Sequence, residues 1–365
     1  MEERSKKEKN ENPKTSMDMM KEQIELLPLP CRSFIYENGT ELAISTRLAY
    51  ARELNAFFEF LVSDKCMPQY DDQNNFMVSF SDKDKSSLTT ADIKLIKTSA
   101  ISQYLTYRKT KGNSEPTLAR KRAALSSYFT YMVSNRHLEH NPVSASVKVK
   151  IHYSDSVVYI NTHDQNKLLA DIKSGAKLNK WEKKYHKKYL LRDLTLITLL
   201  LDTGMRISEL HGINICDMDF ADTKVIITRT GGNKQSIYFS DDVKDLIQEY
   251  IQERKNNKEE IKDSSPLFVT KATKNVLPKR LSIRSIEVLV KKYTQSSLPG
   301  KGNLSPHKMR SSFAMSFYEM SGNDVLALQQ KLGHHSLAAT NIYAKATDNT
   351  MKETKNILTK TRKSL

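Results

Sequence analysis

Cysteine is scarce in this chain of 365 residues. Cys31, Cys66 and Cys216 are far apart and odd in number, so they suit neither a disulfide framework nor a zinc site. Long apolar runs are missing as well. The longest, around 194–201, is interrupted by threonine and is too short to span a bilayer. The opening stretch MEERSKKEKNENPK has no apolar centre, which excludes a secretory signal there, and the chain reads as cytoplasmic and reduced. No internal repeat is visible, and no cluster of carboxylates has the make-up of a two-Mg²⁺ site. Acidic charge is in deficit: 42 Asp plus Glu face 58 Lys plus Arg, a formal net charge of +16. Such an excess favours a polyanionic partner, because each neutralised phosphate releases a counterion. Anionic membranes attract basic proteins too, so charge by itself does not choose between them.

What is present is mostly helical periodicity. Residues 1–24 are charged and aperiodic, and read as a disordered arm. From Ser45 onward Ile44, Leu48, Ala51, Leu54, Phe58 and Leu61 form one apolar stripe. Residues 64–87 are polar and read as a loop or insertion. A second helix is expected over 91–108. A third follows in EPTLARKRAALSSYFTYM, with Ser114 as N-cap, Pro116 in the first turn, and Leu118, Leu125, Tyr128, Phe129 and Met132 facing the core. NPVSASVKVKIHYSDSVV then loses the helical period and reads as a linker over 143–158. Further helices come next, and KVIITRT and KQSIYFS flank a Gly231-Gly232-Asn233 turn as a β-hairpin. The expected fold is mainly α, with a small antiparallel sheet in the second of two domains.

Four short stretches hold the candidate chemistry. In DTGMRISEL, Gly204 suits a helix C-cap, and Arg206 and Glu209 share a helix face three residues apart. In TRTGGNKQS, Lys234 sits just past a tight turn. In LSPHKMRSSF, Ser305 and Pro306 suit a helix start, from whose first turn His307 and Arg310 project together. In KLGHHSLAATNIY, two histidines precede Tyr343. Each signal alone has an ordinary reading: a solvated face, a turn, a surface ion pair, a rim aromatic. A phenol with a pKa near 10 is a poor nucleophile unless a neighbour handles its proton. Were its target a phosphodiester, guanidinium groups would suit the charge on the non-bridging oxygens, and a lysine could protonate the leaving alkoxide.

Together and in this order, TGMRISEL, GGNK, SPHKMRSSF and LGHHSLAATNIY resemble the signature stretches of the tyrosine recombinase (phage integrase) family. The resemblance spans about 159–349 closely, and more loosely the helical part before it. It implies a core-binding domain over 25–142, a catalytic domain over 159–349 and a tail, 350–365, that docks on a neighbouring protomer. By the same resemblance Tyr343 would attack DNA to form a 3′-phosphotyrosine, and Arg206 and Arg310 would clamp the phosphate. Lys234 would protonate the leaving oxygen, His307 and His334 would assist, and Glu209 would support the group from behind. His335 occupies a variable position, and Ser236 stands where many relatives carry an arginine. The implied partner is double-stranded DNA with short inverted repeats, gripped by four protomers on two sites that pass through a Holliday junction, without metal or cofactor. Arg47, Arg52, Arg120, Lys121 and Arg122 are candidate phosphate contacts. The expected location is cytoplasmic, on the nucleoid. The implied role is mobile-element integration or excision, or dimer resolution. Rival readings are a type IB topoisomerase and a non-catalytic DNA-binding regulator.

Overall fold

The computed structural model describes residues 15–37, 42–71, 73–146, 157–229, 232–271, 276–301, 304–333 and 336–347. Its contacts divide the chain into two units, Met1–Tyr153 and Ser154–Leu365. His334, His335, most of the expected linker and the expected tail at 350–365 lie outside the described residues.

The first unit contains α1 (Ser16–Glu25), α2 (Leu29–Glu37), α3 (Ile44–Leu61), a short hairpin of β1 (Gln69–Tyr70) and β2 (Phe76–Val78), α4 (Thr90–Lys94), α5 (Thr98–Thr110) and α6 (Glu115–Ser134). The expected arm is corrected from Thr15 onward. Thr15 and Asp18 form a reciprocal capping box at the start of α1, and Met20 and Ile24 bury their side chains. These two apolar residues, one helical turn apart, and a 2.7 Å hydrogen bond from buried Asn55 to the Gln23 carbonyl seat this segment on α3 despite its charged surroundings. The second expected helix is two helices: a capping box at Thr89 and Asp92 opens α4, and the chain restarts at Lys97 to form α5. The polar stretch after α3 holds the small hairpin, whose Gln69 is fully buried and accepts a 2.8 Å hydrogen bond from Ser99. Aromatic residues fill the core edge to face, as in Phe57 with Tyr104 and Tyr128 with Phe129.

Of the basic residues expected to meet phosphate, two are committed inward. Lys121 is buried and hydrogen-bonds Glu53. Arg122 donates to the Val143 carbonyl at 2.8 Å and to Ser146 Oγ at 3.1 Å. Their positions explain this. Lys121 lies three residues after Leu118 and four before Leu125, and Arg122 four after and three before, so both fall beside the apolar stripe of α6. Arg120 is 70% exposed, with its Nε 3.9 Å from Glu53 Oε1, and Arg52 is also exposed. Arg47 is half-buried, with its Nε unpaired among the described residues. Val143 belongs to this unit's core, so the expected linker starts later than residue 143.

The second unit contains α7 (Thr162–Ser174), α8 (Lys180–Thr203), α9 (Ile207–Gly212), β3 (Met218–Asp219), β4 (Lys224–Thr228), β5 (Lys234–Tyr238), α10 (Asp241–Asn256), α11 (Ile283–Ser297), α12 (Pro306–Met320) and α13 (Val325–Leu332). The long α8, capped by Asn179 and Glu182, packs against α7, α10 and α12. The expected hairpin is β4 and β5, joined in register from Lys224 opposite Tyr238 to Thr228 opposite Lys234, and β3 adds an edge. The main core gathers α7 to α11 and the sheet. A separate small cluster joins Phe313, Met315 and Tyr318 of α12 to Leu328 and Leu332 of α13 and to Tyr343. No helix among the described residues is long and apolar enough to cross a membrane.

Candidate active site

The geometry grows from two helix ends. α8 stops at Gly204, which has φ +60° and sits so close to Phe313 that a Cβ there would lie 2.2 Å from the ring. Two residues later Arg206 is the N-cap of α9. Its backbone N–H donates to Glu209 Oε2 at 2.7 Å and its Nη1 to Glu209 Oε1 at 3.0 Å, so one buried carboxylate fixes both backbone and guanidinium. α13 stops at Gly333, with φ +61°.

Arg310, in the first turns of α12, ties these two ends together. Its Nη1 donates to the Gly204 carbonyl and its Nη2 to the Leu332 carbonyl, both at 2.7 Å. Carbonyls at helix C-termini carry the negative end of the helix dipole, so a guanidinium is the fitting partner for both. Arg310 is 4% exposed, and its pKa is drawn down to about 10, by burial first and then by nearby Arg206, with Glu209 opposing. It remains a cation at neutral pH.

Tyr343 lies in helical residues 341–347, buried in the small cluster and close to Arg310. Burial raises its phenol above the ordinary value, while a hydrogen bond with Ser311 and the charge of Arg310 pull the other way. Tyr343 is thus a core aromatic rather than a rim one, with its hydroxyl beside Ser311 and the charge of Arg310. The phenol is protonated at neutral pH, so nucleophilic use requires a base.

His307 projects from the first turn of α12 and is exposed. Lost solvation, then the charges of Lys308, Arg310 and Arg206, push its pKa below 6.5. At neutral pH it is an uncharged imidazole able to accept a proton. If it accepts a proton in the reaction, the rate of covalent adduct formation should hold through the ordinary histidine range. It should fall only at more acidic pH, where the imidazolium accumulates, because burial and the neighbouring cations depress its pKa. That acid limb should flatten in His307→Gln, with rates at pH 8 lowered about 10²-fold, in the range of a lost general base. A His307→Gln profile that keeps the limb would assign it to another group.

Lys234 opens β5 at the hairpin end and is exposed, beyond a turn in which Gly232 has φ +86°. Thus Arg206, Glu209, Arg310, His307 and Tyr343 are brought together, and Lys234 stands on the neighbouring hairpin. One residue of this neighbourhood had no place in the reading of motifs. Arg229, at the end of β4, donates from Nη1 to Glu209 Oε1 at 2.7 Å. A signal was present: Val225 and Ile227 face inward, so the period of two puts 229 on the same face. Among the described residues no group of His, Cys, Asp and Glu could hold a metal ion.

The phage integrase family profile matches residues 176–350. The chain is 30% identical over 234 residues to the tyrosine recombinase XerC of Psychromonas ingrahamii, covering 64% of this chain and 71% of that protein. It is 29% identical over 317 residues to the tyrosine recombinase XerC of Caldanaerobacter subterraneus subsp. tengcongensis, covering 86% and 81%. Its fold is similar to that of the XerH site-specific recombinase bound to palindromic difH substrate in a post-cleavage complex, with a TM-score of 0.64, 18% identity and coverage of 94% and 85%.

Proposed function

Because the chain belongs to the phage integrase family and is a tyrosine-type site-specific recombinase, we propose that Tyr343 is its nucleophile and that Arg206, Arg310, Lys234, His307 and His334 complete the site. The observation that carries this reading is the double bond of Arg310 to the Gly204 and Leu332 carbonyls. It fixes, side by side, the segments that lead into Arg206 and into His334, with Tyr343 packed on the same small cluster.

In the proposed step, the Tyr343 oxygen attacks a DNA phosphorus and the bond to the 5′-oxygen breaks. The phenolic proton passes to His307, and Lys234 gives a proton to the departing 5′-oxygen. Arg206 and Arg310 hold the non-bridging oxygens, where a preorganised guanidinium stabilises the added negative charge. The 3′-phosphotyrosine keeps the energy of the broken diester, and a 5′-hydroxyl from another strand reverses the step by attacking it. Glu209 holds Arg206 in place.

The net charge of +16 supports double-stranded DNA as the substrate, with Arg52 and Arg120 the exposed candidates for phosphate contact in the first unit. Four protomers on two inverted-repeat sites, strand exchange through a Holliday junction, the docking of residues 350–365 on a neighbour and action in the cytoplasm complete the reading. The division of labour is a helical DNA-gripping first unit and a catalytic second unit.

The test is a joining assay. Nicked DNA bearing a site selected from a random pool should give a covalent protein–DNA adduct, and two such sites should yield crossed-over products. Relaxation of supercoiled plasmid with no joining of two sites would point instead to a topoisomerase. DNA binding without an adduct would point to a regulator.

A further inference from the structure

We propose that Arg229 is a positioning residue for the phosphate-binding Arg206, acting through the carboxylate of Glu209; the inference rests on the catalytic reading above. Arg229 is 9% exposed at its side chain, and two of its nitrogens donate to side-chain oxygens. Nη1 donates to Glu209 Oε1 at 2.7 Å, the same oxygen that accepts Arg206 Nη1 at 3.0 Å. Nε donates to Gln235 Oε1 at 2.8 Å, on the strand that Lys234 opens. The plane of the guanidinium lies against Gly333: a Cβ there would meet Arg229 Cζ at 2.9 Å and Nε and Nη2 at 3.0 Å. Nη2 is buried and has no partner among the described residues.

One side chain therefore touches three parts of the site: the carboxylate behind Arg206, the hairpin that bears Lys234, and the turn before His334. The electrostatics give it a task. Glu209 beside Arg206 alone is a neutral pair, and a carboxylate held only by Arg206 competes with an incoming phosphate for that guanidinium. With Arg229 taking part of the same oxygen, the trio carries one net positive charge and Arg206 keeps donors free for the phosphate. The effect belongs to the step that builds charge on phosphate rather than to DNA affinity, which is spread over many contacts.

The experiment uses the full chain and single-turnover adduct formation on nicked-site DNA. Arg229→Gln should slow the adduct by about 10–100-fold, as removal of a group that orients a ligand does elsewhere, while DNA affinity stays within about threefold, because phosphate contacts are many and individually modest. In a Glu209→Gln background the further loss of Arg229 should matter by less than about threefold, since partners that act through one another are not additive. Substrate with sulfur in place of the 5′-bridging oxygen separates the two routes. A thiolate leaves without needing a proton, so damage transmitted through a displaced Lys234 would be rescued, and damage through Arg206 would persist. Persistence is expected.

If Arg229→Gln melts early, Arg229→Lys keeps the buried cation with a single bond and should still be slow. A wild-type rate in the Lys variant, additivity with Glu209→Gln, or rescue by sulfur would overturn the assignment. Failure of the wild-type protein itself to form an adduct would instead overturn the catalytic reading.

Discussion

Tyr343→Phe should form no covalent adduct with nicked-site DNA, where wild type forms one within the same incubation. The substitution removes one oxygen from a side chain that is 3% exposed and otherwise surrounded by Phe313, Leu328 and Leu332. The ring still fills its cavity, so folding should lose only the hydrogen bond with Ser311, about 1 kcal/mol. DNA affinity should stay within about twofold, because phosphate contacts and not the nucleophile carry most binding. The loss of reaction is therefore complete while fold and affinity are preserved, and a denaturing gel, a thermal melt and a filter-binding titration together read all three. An adduct that survives in the Phe variant would move the nucleophile elsewhere, and Ser311 would be the first position to examine.

Arg310→Ala is expected to fail on two counts. Chemically it removes one of two guanidiniums assigned to the phosphate, a loss of about 10²–10³-fold by comparison with removal of a single preorganised donor. Structurally it strands the Gly204 and Leu332 carbonyls, which accept buried 2.7 Å hydrogen bonds from a side chain that is itself buried. Two buried acceptors left unpaired cost about 2–6 kcal/mol. A melting curve and an adduct assay should thus both shift, in contrast to Tyr343→Phe, where only the assay does. Arg310→Lys should recover part of the charge but reach only one of the two carbonyls, and so stay less stable than wild type. An Ala variant that melts with wild type would show the two carbonyl bonds to be dispensable.

The sequence made some of this legible for reasons that can be named. The start of α6 carried its own instructions in Ser114 and Pro116, and the five apolar residues assigned to its core face are all buried. The hairpin declared itself through alternation around a glycine turn. Gly204 was readable as a cap, and it has the left-handed conformation a cap requires. Other features failed because one-dimensional reading gives charge too simple a meaning. Arg120, Lys121 and Arg122 looked like one basic patch, yet adjacent helical residues are separated by about 100°, and two of the three turn toward Glu53 and toward Val143. The charged N-terminal stretch hid a capping box and two buried apolar residues. Arg229 lay outside every motif, because its importance depends on which oxygen of Glu209 it reaches, and spacing along the chain carries no such information.

The small cluster that holds Tyr343 has a dynamic consequence. Tyr343 shares its packing with α12 and α13 rather than with the larger core built on α7, α8, α10 and α11. The free energy needed to release a segment is set by what that segment buries, and regions packed on few apolar contacts open well below the global unfolding limit. The tyrosine segment is therefore expected to open as a local unit more readily than the arginines, which Glu209 and the terminal carbonyls of α8 and α13 hold in place. Amide hydrogen exchange along 341–347 is accordingly expected to report a lower opening free energy than along α8.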